Sequence, residues 1–523
     1  MYSRIIIALL ITLLTYNVNS QNAFYQDTNN SKISQDNEYF IHTVERGQTI
    51  YSISKMYGVS EDAIYKLNPG SDISIQIGSQ LKIPQSSQHI IFHTIEPKET
   101  LYSVSKKYNV AGEAIIEANP GLSIQTFIIG RTIRIPVYEI TSRPDTIKEE
   151  QTNDLLFQKS EIKRVKAVNI SFLMPFGITE KTNPANLQSK VVEYYEGFLM
   201  ALDSLKKIGI SVNLNVVDIG NGTDILKNRL YDDDLKKANL IIGGVSDAQI
   251  KTLSEFSNKN KIPYIVPFAS KCDEILNNPY LFQINTPASY LYSKASKAFI
   301  NKYRNYNIIL LSDNKVSEKA DFIQALKSDM NAEKIKYSTI SLTGSFIPEM
   351  DEKLSRIKQN IIVPTSGTQE FLSKVLSELT TLKQVLSFQD ISLFGYPEWQ
   401  TYDMGELSDP MYQLNTTIYS NFYTLQTDME TRNFYKKFYA WYSRPINNSF
   451  PKFSLLGYDT GMFFIQNVNQ YGADFSDNIN KLKYRGLQTS FLYQRVNNWG
   501  GFVNLNVFFV TYRPDFSIIR EVK

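Results

Sequence analysis

Histidine and cysteine are nearly missing from this 523-residue chain. Its one cysteine, Cys272, rules out an internal disulfide, and a lone thiol is most often a small buried hydrophobe. To act as a nucleophile it would need a base beside it. The three histidines, His42, His89 and His93, all precede residue 94, so the rest of the chain has no imidazole. A Ser-His-Asp triad, a Cys-His pair and a histidine-ligated zinc site each need one near the chemistry. The sequence therefore nominates no catalytic residue, no metal ligand and no cofactor.

An excess of one charge is missing too. Lys and Arg number 55 against 52 Asp and Glu, a net +3, which gives no electrostatic ground for binding nucleic acid. Long apolar runs are absent: Ile5 to Leu14 is about half the roughly 20 residues that a membrane-spanning helix needs, and no later segment suffices. With Tyr2-Ser3-Arg4 before it and Val18-Asn19-Ser20 after it, that run reads as a secretory signal over residues 1–20. No cysteine follows it for lipid attachment. The mature chain is expected to be exported and to carry no membrane span. Its length suits two to four domains, and its 42% apolar content is that of a globular protein.

What is present is a repeat. HTVERGQTIYSISKMYGVSEDAIYKLNPG (42–70) aligns without a gap with HTIEPKETLYSVSKKYNVAGEAIIEANPG (93–121), and about half the positions are identical. Each copy ends in a strand closed by proline, Leu81-Lys82-Ile83-Pro84 and Ile133-Arg134-Ile135-Pro136. Phe40 to Val44 alternates as a half-buried strand does, with polar His42 in its middle. Thr49 offers an N-cap oxygen, and Ile50, Ile53 and Tyr57 recur at helical spacing. Ser60 starts a second helix, with Glu61 and Asp62 in its first turn, and Asn68-Pro69-Gly70 breaks the chain. The pattern predicts two β-α-α-β units, residues 39–84 and 89–136. His42 and His93 take the same strand position in each and are expected to be structural.

These residues resemble the LysM family. In the first copy the match is carried by Gly47-Gln48-Thr49-Ile50, Asn68-Pro69 and Gly78-Ser79-Gln80-Leu81-Lys82-Ile83-Pro84. In the second it is carried by Thr100-Leu101, Asn119-Pro120 and Gly130 to Pro136, with a departure at Pro97-Lys98-Glu99, where the glycine is missing. The resemblance implies binding of N-acetylglucosamine-containing glycan, hence peptidoglycan, in a groove between two loops. It puts Gly47, Gln48, Thr49 and Ile50 on one wall with Asn68, Pro69 and Gly70 near the other. In the second copy these become Glu99, Thr100, Leu101, Asn119, Pro120 and Gly121. Read from the residues alone, the same positions are turn and capping residues.

Residues 137–166 are polar and charge-rich, including TSRPDTIKEEQTND, and read as a linker. From residue 167 to 523 the pattern becomes alternating strands and amphipathic helices. Strands are expected at Val168–Phe176, Val212–Ile219, Leu240–Gly244 and Tyr264–Pro267, then at Ile308–Ser312, Ile335–Ile340, Asn360–Pro364 and Ile391–Gly395. The fold class predicted is α/β, two successive doubly wound parallel-sheet lobes with a cleft at the strand carboxyl ends. Trp499 to Asn504 has strand character but no evident role.

This half resembles type I periplasmic substrate-binding proteins, the branched-chain amino-acid receptor class. The residues that carry it are Met174-Pro175-Phe176, Tyr195-Glu196-Gly197-Phe198, Ile241 to Ser246, Ile262 to Ser270, and Gly457-Tyr458-Asp459-Thr460-Gly461. The resemblance implies a small carboxylate ligand met by Ser246 and Ser270, with Asp313 and Tyr396 as second-lobe partners. Serines after strands are commonly caps and turns as well.

Three functions follow. The first is a non-enzymatic peptidoglycan-binding adaptor or sensor in the periplasm, associated with the cell wall, or else at the cell surface or secreted, with envelope proteins as further partners. The second is a wall-associated solute receptor of a transport system, amino-acid-like in ligand. The third is a murein hydrolase, disfavoured because a carboxylate-pair glycosidase, which needs no histidine, would need two acids at a matched separation that no motif provides.

Overall fold

The computed structural model describes residues 39–85, 89–136, 149–157, 164–177, 186–312, 317–342, 346–385, 390–403 and 408–523. The signal segment, Asp313 and most of the linker lie outside the described residues.

Each repeat is the expected β-α-α-β unit. In the first, β1 (Tyr39–Thr43) pairs antiparallel with β2 (Gln80–Pro84) around helices Ile50–Tyr57 and Glu61–Leu67. In the second, β3 (Ile90–Thr94) pairs with β4 (Thr132–Pro136) around Leu101–Tyr108 and Gly112–Ala118. Ile50, Ile53 and Tyr57 are buried on one helical face, as their spacing requires. Thr49 and Thr100 accept from the amides of Ser52 and Ser103 in reciprocal capping boxes, and Ser60 accepts from Ala63.

The remainder forms two lobes, each on a seven-stranded sheet. The first runs β15-β16-β9-β8-β7-β5-β6, comprising β5 (Ala167–Met174), β6 (Ser211–Asp218), β7 (Leu240–Gly243), β8 (Tyr264–Val266), β9 (Leu281–Gln283), β15 (Tyr493–Arg495) and β16 (Phe502–Asn504). The second runs β11-β10-β12-β13-β14-β17-β18, comprising β10 (Asn307–Ser312), β11 (Tyr337–Ser341), β12 (Asn360–Pro364), β13 (Ile391–Gly395), β14 (Thr417–Ser420), β17 (Phe508–Tyr512) and β18 (Ile518–Val522). Pairing is parallel except at β15–β16, β14–β17 and β17–β18. The chain crosses between lobes three times: after β9, after β14, and between β16 and β17. The C-terminal stretch without an evident role thus completes both sheets, with β16 lying parallel to β9.

Two motifs from the second resemblance have a packing explanation. Helices Asn186–Lys207 and Phe453–Tyr471 press together so closely that a Cβ on Gly197 would stand 1.8 Å from the Ser454 carbonyl oxygen, and one on Gly457 1.9 Å from that of Tyr194. Only glycine permits this approach. Asp459, fully buried on the second of these helices, accepts from the Tyr484 hydroxyl and from the amides of Leu487, Gln488 and Thr489. It fixes the loop that leads into the last strands.

The repeats are not beads on a tether. The core of the first is continuous with that of the first lobe: Phe40, Ile53 and Tyr57, joined by Phe92 of the second repeat, share one buried cluster with Leu253, Ile275, Leu281 and Trp499. Within the stretch read as a linker, helix Glu149–Asp154 and the turn Leu155–Phe157 fold back on the second repeat, burying Leu156 in its core. Among the described residues no helix is long and apolar enough to cross a membrane.

Candidate functional site

The first loop of each repeat is built around its histidine. The Gln48 side-chain oxygen takes the Glu45 amide at 2.8 Å and lies 2.8 Å from His42 Nε2, so Nε2 carries the proton and Nδ1 accepts from the Tyr57 hydroxyl at 2.8 Å. Burial holds His42 down to about 4, against the hydrogen bond to Gln48, which raises it. In the second repeat Glu99 replaces Gln48 and does the same, accepting from Glu96 N–H at 2.8 Å and His93 Nε2 at 2.7 Å while Tyr108 meets Nδ1 at 2.9 Å. Burial opposes ionisation of Glu99, but the His93, Glu96 and Lys107 contacts outweigh it and hold the carboxyl at about 2. The missing glycine does not change the turn: Lys98 adopts φ 72° where Gly47 adopts 84°.

Several predicted glycan residues are occupied by the fold. Ile50 and Leu101 are core. Asn68 donates to Ile64 O and Lys82 O and accepts from Lys82 N–H, and Asn119 does likewise with Ile115 and Arg134. Both asparagines clamp helix to strand. Thr49 and Thr100 spend their hydroxyls on caps. Pro69, Gly70 and Pro120 are exposed, whereas the Gly121 amide donates to Asn498 O at 2.7 Å in the first lobe. What sequence reasoning missed is the exposed isoleucines of the opposite loops: Ile73 and Ile77 in the first repeat, Ile124, Ile128 and Ile129 in the second. They neighbour Gly78 and Gly130, whose amides bond back to Val44 O and Ile95 O, at the root of the first loops. Sequence showed them as apolar; only the fold shows that they are bare.

The first repeat sits across the mouth of the interlobe cleft. Arg46 donates to both carboxylate oxygens of Asp329 at 3.3 Å and to Ser293 O and Oγ at 3.1 and 3.0 Å, all in the second lobe. A Cβ on Gly47 would lie 2.6 Å from the Tyr290 ring. To the first lobe, Tyr51 donates to Asp273 at 2.5 Å, and Trp499 packs on Tyr57 and on Phe92 of the adjoining second repeat with centroids 6.0 and 5.8 Å away. Burying a large apolar ring is worth about 1.5–3 kcal/mol, against about 1 for an exposed ion pair, so the aromatic seam dominates this docking. The signal available in sequence was the break in the repeat, Arg46 against Pro97.

Beneath that roof is a cavity of about 470 Å³ at the strand carboxyl ends. Ser270 and Cys272 line it, and burial pushes the Cys272 thiol up to about 12, as befits an inert core cysteine. Lys319 and Glu398 pair at 2.5 Å on the second-lobe side. Ser246 and Tyr396 do not line it. Ser246 caps helix Asp247–Asn260 through Gln249 N–H. Tyr396 is fully buried and donates to Pro364 O at 2.5 Å, a core residue. Asp313 lies outside the described residues. Among the described residues no group of three His, Cys, Asp or Glu is placed to hold a metal.

Comparison with known proteins identifies the two repeats. Residues 42–84 and 93–136 match the LysM domain. Over 97 residues the chain is 35% identical to YdhD of Bacillus subtilis (strain 168), named as a sporulation-specific glycosylase, covering 18% of this chain and 22% of that one. The chain thus spans about a fifth of that relative's length. Solved structures similar over 68% of the chain include a branched-chain amino acid ABC transporter protein of Rhodospirillum rubrum, with 14% identity, TM-score 0.46 and 100% of that chain covered. Another is the branched-chain amino acid substrate-binding protein LivJ of Streptococcus pneumoniae with isoleucine, with 17% identity, TM-score 0.34 and 99% of that chain covered. The strand order alone establishes the two-lobed α/β fold.

Proposed function

We propose that this is an exported, non-enzymatic cell-envelope protein that holds N-acetylglucosamine-containing peptidoglycan through its two LysM domains, with the lobed domain as an adaptor or sensor. The matched LysM domains support the glycan half of this reading. The sensor half is supported by one observation: the first LysM domain shares a buried core with one lobe and ion-pairs with the other, so the wall-binding module and the cleft are mechanically joined. A shuttle that carries solute to a transporter has no use for such an anchor.

The test is sedimentation of the mature chain with purified sacculi. Because Thr49 and Thr100 hold helix caps, substituting them would confuse folding with binding. Ile77→Asp with Ile129→Asp alters exposed loops instead, and should leave the circular dichroism spectrum intact while releasing the protein to the supernatant. Two weak sites on one rigid body act through effective concentration, so each single variant should retain part of the binding. A wild-type chain that stays in the supernatant at low salt ends the anchoring reading. Clearing of a sacculus suspension by the purified chain would end the non-enzymatic one.

A further inference from the structure

The cavity under the first repeat has walls from three parts of the chain. Thr49, Tyr51 and Ser52 come from the repeat, Ser270 and Lys271 from the first lobe, and Tyr290, Lys319, Glu398 and Tyr419 from the second. The first wall includes part of the loop that the LysM reading assigns to glycan. We propose that repeat and cleft together form one binding site for an N-acetylated amino sugar carrying one or two amino acids, a fragment in which wall glycan and wall peptide are still joined. This rests on the reading of the repeats as glycan binders and names the ligand of the joined site.

Four observations support it. First, Tyr419 is fully buried, lines the cavity, and its hydroxyl has no hydrogen-bond partner among the described residues. A buried hydroxyl left unpaired is unfavourable, and a ligand acceptor would relieve it. Second, the Lys319–Glu398 pair and Lys271, whose ammonium stands 4.3 Å from the Tyr51 ring centroid, supply both signs of charge for a peptide's carboxylate and amide groups. Third, Tyr290 and Tyr292 line the cavity beside Tyr51, whose hydroxyl is committed to Asp273, and their rings are of the kind that meet sugar faces. Fourth, about 470 Å³ lies within the ordinary range of small-molecule sites, enough for one sugar ring and a short peptide and too small for a polymer strand. Asn285 and Asn421, which join the two lobes by a 3.2 Å hydrogen bond, also line it, so an occupant touches the hinge.

The probe is N-acetylmuramyl dipeptide, titrated calorimetrically into the mature chain beside the free dipeptide and an N-acetylglucosamine oligomer. The joined compound should bind at least tenfold more tightly than the free dipeptide. Tyr419→Phe, which removes one oxygen from a packed ring, should weaken the joined compound about tenfold and leave sacculus sedimentation unchanged. Tyr51→Leu, which removes the ring at the roof, should weaken the joined compound but not the free dipeptide, whereas Asp273→Asn, which loosens only the tie of Tyr51 to the first lobe, should weaken neither. Equal affinity for joined compound and dipeptide, no binding of the joined compound, or indifference of both tyrosine variants overturns the proposal. Failure of sedimentation with intact muramyl dipeptide binding would instead remove the anchoring reading and leave this one standing.

Discussion

Arg46 and Asp329 are 283 residues apart in sequence, yet the guanidinium donates to both carboxylate oxygens at 3.3 Å. The pair ties the first loop of the first repeat to a helix of the second lobe, while Tyr51 and Asp273 tie the same repeat to the first. A rotation of the lobes about their three crossovers must break one tie or carry the repeat along.

Arg46→Ala should therefore free the repeat from the second lobe without unfolding it. The expected loss is about 1 kcal/mol, since Arg46 is half-exposed and the pair is partly solvated. Hydrogen exchange should rise in residues 44–53 and at the start of helix Ala288–Tyr303. Unchanged protection in both segments would show that the aromatic seam alone holds the repeat.

Gly197→Ala tests the helix contact beneath the first lobe. With a carbonyl oxygen 1.8 Å from the new methyl carbon, the helices must separate, and the loss should be about 3 kcal/mol, read as a lower urea midpoint. A loss below about 1 kcal/mol would mean that the pair slides at little cost.

Acid should loosen the first repeat before the second. The His42 imidazole is held at about 4 by burial, against an ordinary 6.5. Between those values the unfolded chain takes a proton that the folded one refuses. Stability is thus complete above pH 6.5 and falls as the pH drops toward 4, by up to about 3 kcal/mol. Glu99, held at about 2, keeps its contribution above its ordinary 4.5 and loses it only as the pH falls from there toward 2. Exchange protection of residues 39–84 should decline between pH 7 and 4.5 while that of 90–136 holds; equal decline in both contradicts this assignment.

Lys98→Gly should stabilise the second repeat modestly. A side chain at φ 72° costs roughly 1–2 kcal/mol, and glycine's greater freedom when unfolded returns part of that. A gain below about 1 kcal/mol is expected, seen as a higher melting temperature with sacculus binding unchanged. A loss would show that the lysine side chain has a role in the loop.

The repeat units, their caps and their closing strands were legible because each depends on contacts within some forty residues. Thr49 with Ser52, Ser60 with Ala63 and the helical spacing of Ile50, Ile53 and Tyr57 are all local. The α/β alternation was legible for the same reason, as buried parallel strands read as apolar runs wherever they later pair. Strand β14 and its partner β17 were not, since they pair across about 90 residues and nothing local marks them, and of the C-terminal strands only β16, within Trp499 to Asn504, showed strand character in the sequence.

By itself the sequence determined the modules: two LysM repeats, an α/β half, one inert thiol and no imidazole beyond residue 93. Tertiary structure decided how they meet. That Tyr396 is core, that Trp499 seams a repeat to a lobe and that Tyr419 lines a cavity with its hydroxyl unpaired among the described residues depend on surfaces brought together from distant parts of the chain. Periodicity tells which face of a helix is apolar, but it does not tell which other surface will cover that face.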